Sequence, residues 1–152
     1  MKKISIFLTI AVVTMVAGCS GCGTKTKSVT ELLTKAWSAQ TVKENSSVVY
    51  TKGATTNIRP GYSNFKLDLS SPSSVRYTEF ENSVFTGTTW TVTEAATGNK
   101  LTLSGLSPKP TGTDGTIEFI INSASDTELS LTRTTSSQKT GGTINTYNLV
   151  SP

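Results

Sequence analysis

From residue 36 onward, apolar and polar side chains alternate in short runs separated by Gly, Pro, Asn and Asp. This is the period of two expected of strands with one buried and one wet face. The first runs are Ala36 to Glu44 and Ser47 to Thr51, followed by a long loop through GATTNIRPGYSN in which Pro60-Gly61 marks a turn. FKLDL places Phe65, Leu67 and Leu69 on one face; SSPSS then turns the chain into VRYTEF, with Val75 and Tyr77 together, as in a hairpin. TTWTVTE presents Trp90 and Val92, ATGN turns, and KLTLSGL points Leu101 and Leu103 inward. After the loop SPKPTGTDG come TIEFIIN (Ile117, Phe119, Ile121), the turn SASD, TELSLTR (Leu129, Leu131) and finally TINTYNLV, with Tyr147 and Leu149 inward. About eight short strands, nearly all with one polar face, predict an all-β, antiparallel up-and-down meander closed into a small barrel. Ahead of them, SVTELLTKAW changes period: Ser28 and Glu31 form a capping box, and Val29, Leu32, Leu33 and Trp37 share one helical face. A short helix is expected over 29–35.

The first nineteen residues, MKKISIFLTIAVVTMVAGC, follow another rule. Lys2 and Lys3 precede an apolar run from Ile4 to Ala17. That run is shorter than the roughly 20 residues that span a bilayer, and it has the form of a secretory signal. Val16-Ala17-Gly18-Cys19 resembles a lipobox, which implies cleavage before Cys19 and attachment of a diacylglyceryl group to its thiol. The alternative is an ordinary signal peptide cut at Ala17-Gly18. Cys22 completes an apparent C-x-x-C pair, but no other Cys and no His exists to finish a metal site, and no strand and helix frame it for redox work. It reads as a tether residue; a second lipid or an intermolecular disulfide are the other options. The segment from Ser20 to Ser28 is a Gly-, Ser-, Thr- and Lys-rich leash that reaches roughly 30 Å when extended. The expected organisation is therefore a signal peptide over 1–18, a lipidated cysteine and tether over 19–28, and one β-barrel domain over 29–152.

Charge changes this picture little. Of 14 Lys and Arg against 10 Asp and Glu, two lysines belong to the signal, leaving a nearly neutral domain with no footprint for nucleic acid. Histidine is absent, which removes the commonest general base and metal ligand. The 28 Thr and 20 Ser fit solvated β-surface, since no Thr-x-Thr array repeats across several strands at constant spacing.

The helix leading into Ala36-Trp37, the strand FKLDL, GTTWTV followed by NKLTLSG, and TELSLTR before a last strand ending Tyr147-Asn148-Leu149 together resemble the lipocalin-like domains of small Gram-negative lipoproteins. The resemblance covers about residues 31–150. It implies a one-domain up-and-down barrel tethered to the outer membrane, in a family whose members mostly lack an established ligand. The familiar Asp-Gly turn between early strands is replaced here by SSPSS.

No catalytic constellation emerges. A Ser-His-acid arrangement is impossible without histidine; Glu79 and Glu81 lie close together, but Glu81 at a strand end beside Asn82 reads as solvated surface, and Asp114 and Asp126 read as turn residues capping backbone amides. No Gly-rich phosphate loop runs from strand to helix. The expectation is a non-enzymatic protein without cofactor or metal. Two functions fit. One is a binding module that takes a small apolar or amphipathic ligand in the barrel, with Trp37 and Trp90 as pocket floor and the loop residue Tyr62 as a surface contact. The other is a structural or interaction protein, its barrel filled by its own side chains, that docks an envelope protein partner; on that reading Trp37 and Trp90 are core plugs. In either case the partner at the N-terminus is the membrane. Ser-Gly-Cys-Gly, without an acidic cluster after Cys19, favours the periplasmic face of the outer membrane.

Overall fold

The computed structural model describes residues 26–152, so Cys19, Cys22 and the signal segment lie outside the described residues. A helix, α1 (Val29–Leu33), leads into ten strands: β1 (Ala36–Glu44), β2 (Ser47–Thr51), β3 (Lys66–Asp68), β4 (Val75–Thr78), β5 (Val84–Gly87), β6 (Thr89–Thr93), β7 (Asn99–Ser104), β8 (Ile117–Ala124), β9 (Glu128–Arg133) and β10 (Asn145–Val150). All pair antiparallel in one sheet of order β5-β4-β3-β1-β10-β9-β8-β7-β6, with β2 on the second half of the β1 flank whose first half holds β3. Among the described residues no helix is long and apolar enough to cross a membrane.

The two ends of that order, β5 and β6, are separated only by Thr88. Thr86 and Ser107 exchange both backbone hydrogen bonds at 2.9 Å, and Thr88 N donates to Ser104 O at 3.1 Å. The segment 84–93 therefore pairs with β4 on one side and with the β7 region on the other, and the sheet wraps into a nearly closed up-and-down barrel. The expected strand count missed β5, because VFTG offers a single inward aromatic, Phe85, and ends on glycine. That glycine is required: a Cβ on Gly87 would sit 2.5 Å from Val75 Cγ1 and 2.7 Å from the Ser104 carbonyl oxygen. Gly87→Ala is expected to destabilise by about 1–3 kcal/mol, the usual cost of overpacking, read as a lower urea midpoint at unchanged slope.

The one strand left beside the barrel, β2, has a covered outer edge. Asn57 mimics a strand partner there, its amide accepting from Thr51 N (2.8 Å) and donating to Thr51 O (3.1 Å), while Arg59 N donates to Val49 O. An open edge invites pairing with another chain; this one is occupied.

At the end of the barrel where β1 begins, α1 acts as a plug. Its capping box is formed, Ser28 Oγ accepting from Glu31 N and Ser28 N donating to the Glu31 carboxylate. The helix ends at Leu33, short of the expected residue 35, because Trp37 already belongs to β1 and returns its indole N–H to the Leu33 carbonyl at 3.1 Å. Lys27 pairs with Asp126, and Lys35 donates to the Asp126 carbonyl at 2.7 Å. Asp126 is thus an anchor for the incoming chain rather than a turn cap; Ser125 Oγ accepts from Thr127 N and Glu128 N instead. Asp114 does cap its turn, accepting from Thr116 N.

The inward positions expected from alternation are filled as read: Phe65, Leu67, Leu69, Val75, Tyr77, Leu101, Leu103, Ile117, Phe119, Leu129, Leu131, Tyr147 and Leu149 are all buried in one cluster. Each large apolar side chain so placed contributes about 1.5–3 kcal/mol. The hairpin across SSPSS has the register Leu67 opposite Tyr77, which keeps both side chains inside.

Candidate functional site: a polar layer in the barrel

Four strands end, opposite the helix, on an inward polar residue where the alternation would place an apolar one. Val42 is followed by Glu44 on β1, Tyr77 by Glu79 after β4, Leu131 by Arg133 on β9, and Asn145 precedes Tyr147 on β10. All four are buried. Glu44 lies directly opposite Asn145 in the β1–β10 ladder, and Arg133 opposite Phe119 on β8.

These residues hold one another in two linked groups. Arg133 Nη1 donates to Glu79 Oε1 at 2.9 Å, an ion pair whose two side chains are 1% and 2% exposed, and Ser137 Oγ reaches the same oxygen at 3.4 Å. Nearer the rim, Glu44 receives Arg59 Nε and the Tyr62 hydroxyl, both at 3.0 Å. Asn145 Nδ2 donates to the hydroxyls of Tyr62 (3.3 Å) and Tyr147 (3.2 Å), and its carbonyl accepts from Thr143 Oγ1 at 2.6 Å. Charges balance within each group, one carboxylate against one guanidinium. A buried ion pair is tolerable on those terms alone.

Below the layer the aromatic side chains pack on each other. Phe65 stacks on Tyr147 at 4.6 Å between ring centres, and Tyr77 meets Phe65, Phe85 and Phe119 at 5.7, 5.9 and 6.3 Å. Above it, short 3-10 turns at Pro60–Asn64, Phe80–Asn82 and Gln138–Thr140 form a roof. The roof is tight where the first two meet, since a Cβ on Gly61 would lie 2.9 Å from the Phe80 ring. Tyr62 and Phe80 rings lie 5.0 Å apart, with the Arg59 guanidinium 5.4 Å from the Phe80 centre.

Burial acts on the three phenols in the layer. Desolvation, reinforced by neighbouring Tyr147 and Glu44, raises Tyr62 far above the ordinary tyrosine range. Desolvation and Glu79 do the same to Tyr77. Tyr147, also desolvated, is pushed up to about 12.

The residues singled out from sequence fall at opposite ends. Trp37 is 1% exposed beside the helix, and Trp90 is buried nearby with its indole N–H donated to Ser71 O at 2.8 Å. Tyr62, expected on the surface of the long loop, is fully buried instead: the turn Pro60–Asn64 folds it over the barrel mouth, and Glu44 takes its hydroxyl. Glu79 stands out in the sequence only as a neighbour of Glu81, and nothing there singles out Arg133, Glu44 or Asn145. The available signal was parity, because 133 continues the face of 129 and 131, and 79 that of 75 and 77.

Outside the barrel, an open groove of about 600 Å³ runs over β3 to β5, lined by Lys66, Asp68, Arg76 and Thr78 among others. Among the described residues no three His, Cys, Asp or Glu side chains gather as a metal ion would require. Comparison with protein-family models, with curated proteins and with solved structures finds no match.

Proposed function

We propose that this chain is an exported bacterial lipoprotein, held on the outer membrane through a lipid on Cys19, whose barrel is a non-catalytic module that works through its surface. One observation carries the choice of surface over interior. Trp37, Trp90 and Tyr62, the side chains best suited to line a pocket, are buried with their polar atoms bonded inside the protein. On this reading they are core plugs, and the domain docks an envelope protein. The lipid would enter on the α1 side, since the described chain begins there with Lys27 held by Asp126. The absence of an acidic cluster after Cys19 favours the periplasmic face. Carriage of a small apolar or amphipathic ligand is the second reading; its support is the aromatic lining formed by Phe65, Tyr77, Phe119 and Tyr147.

Native mass spectrometry of the full lipidated protein, released from its own envelope, separates the two. The expected spectrum carries the covalent anchor and nothing else small in stoichiometric amount. A stoichiometric adduct, lost together with a change in tryptophan fluorescence, would establish the carrier instead. The anchor has its own test. Metabolic labelling with a fatty-acid probe is expected to vanish in Cys19→Ala and persist in Cys22→Ala; the reverse pattern overturns the assignment.

A further inference from the structure

The outer face of β3 and β4 carries two exposed cations, Lys66 and Arg76. Lys66 lies opposite Thr78 and Arg76 opposite Asp68, so the two occupy diagonal positions on neighbouring strands. Such positions are roughly 7–8 Å apart, within joint reach of one ligand group by long side chains. The ion pairs among the described residues use Lys27, Lys35, Arg59, Lys100 and Arg133, and neither of these two. Asp68, the acid beside them, is occupied, accepting from Ser70 N and Ser70 Oγ at 3.0 and 2.6 Å. Glu81 is exposed nearby but does not line the groove over β3 to β5.

Both cations stand in that groove, whose volume is about 600 Å³. Thr78 shares the strand floor with them, and Asn64 and Asn82 come from the two roof turns. Thr78 is 8% exposed, and among the described residues its hydroxyl has no hydrogen-bond partner. An enclosed hydroxyl lining a groove is a fixed donor and acceptor for whatever enters.

We propose that this groove docks an acidic segment of the partner protein, with a carboxylate held by Arg76 and Lys66 and peptide groups held by Thr78, Asn64 and Asn82. The proposal rests on the surface-docking reading and gives it a place and a chemistry. Charge selects an anion, since the lining sets two cations against one carboxylate that Ser70 already engages. A guanidinium presents a planar fork that matches a carboxylate with two parallel bonds. Each asparagine amide offers a donor and an acceptor, the pair a peptide group requires. Val84, 37% exposed, supplies an apolar spot in the same lining for a neighbouring side chain. Single-stranded nucleic acid and glycans fit less well, because both are gripped by stacking on aromatic faces and this lining holds no ring.

The test is a nuclear magnetic resonance titration of the full lipidated protein in detergent, following the side-chain amides of Asn64 and Asn82 and the Arg76 Nε–H. The probe is a blocked peptide of alternating glutamate and glycine; the comparisons are the same peptide with glutamine and a galacturonate oligosaccharide. Saturable shifts are expected with the glutamate peptide and much weaker binding with the other two. Arg76→Gln and Lys66→Gln are each expected to weaken binding roughly twofold to fivefold, as exposed ion pairs do. Thr78→Val keeps the charge and shape and is expected to weaken it roughly threefold to tenfold, the loss of one hydrogen bond. Lys100→Gln, which removes the partner of Glu118, is expected to leave binding unchanged. No saturable shift at millimolar glutamate peptide overturns the site, as do equal shifts with the glutamine peptide or equal weakening in Lys100→Gln. Tighter binding of the oligosaccharide also overturns it and makes the groove a glycan site. The two readings fail separately. A silent groove beside a mass spectrum without a small adduct leaves docking in force on another face, whereas a stoichiometric adduct ends the docking reading whatever the peptide does.

Discussion

Glu79→Ala is expected to destabilise the barrel by about 3–5 kcal/mol, the largest effect of any single side chain outside the apolar core. The variant leaves the Arg133 guanidinium buried with its counter-ion gone. Arg133 cannot shed its charge, and the packed layer around it gives the long side chain no short route to solvent. Against a typical domain stability of about 5–15 kcal/mol, a loss of this size unfolds a large fraction of molecules under mild denaturant. Arg133→Met should cost less, because a carboxylate, unlike a guanidinium, can be neutralised by taking up a proton. The double variant Glu79→Leu with Arg133→Met is expected to recover most of the loss, since two apolar side chains replace two desolvated charges. Urea titrations of these proteins, together with Glu79→Leu alone, supply the cycle. A Glu79→Ala midpoint close to that of the unaltered protein would mean that the pair is not buried in solution.

Alkaline pH gives the second large effect. Tyr62, Tyr77 and Tyr147 all have their neutral forms favoured by burial, so each holds its proton in the folded chain above pH 10, where the unfolded chain releases it. For an acid raised in this way the stability contribution is complete below the unfolded value of 10.0 and is lost progressively above it. Each phenol removes about 1.4 kcal/mol per pH unit, so the three together remove about 4 kcal/mol per unit between pH 10 and about 12. Beyond that, Tyr147 ionises in the folded protein too and stops contributing to the slope. The expected observation is cooperative alkaline unfolding in which phenolate absorbance and loss of β-structure coincide. Tyr77→Phe should reduce the slope by one third. Phenolate absorbance of all three appearing well before the structure melts would show that the layer is open to solvent.

Both effects arise from residues that the alternating pattern places but does not identify. In TELSLTR, Leu129 and Leu131 announce the inward face, and counting on by two reaches Arg133. Composition argues the other way, since an arginine at a strand end is ordinarily wet. What reverses the expectation is Glu79, 54 residues earlier in the chain, which β4 and the roof turn bring to 2.9 Å. Tyr62 teaches the same lesson from the opposite side. A Pro-Gly-Tyr loop has the chemistry of a surface turn, and its local form is indeed a turn, with Pro60 at the start of the 3-10 segment. Its burial follows from Glu44 and Asn145, which offer the hydroxyl partners only once β1 and β10 are paired. The missed strand β5 is a third case: its four residues are too few to show a period, and its pairing with β4 and its link to Ser107 come from distant chain.

The sequence by itself determined the antiparallel β class, the short capped helix, nearly every strand and the apolar half of the core, because alternation, turn residues and capping are properties of near neighbours. Only the tertiary structure decided that the barrel closes through the kinked segment 84–93, that Trp37, Trp90 and Tyr62 are internal, and that two ion pairs and three phenols form a layer beneath a roof of turns. Those features depend on desolvation and on partners far apart in the chain. A side chain's charge and burial are settled together, by whichever group the closed sheet brings opposite to it.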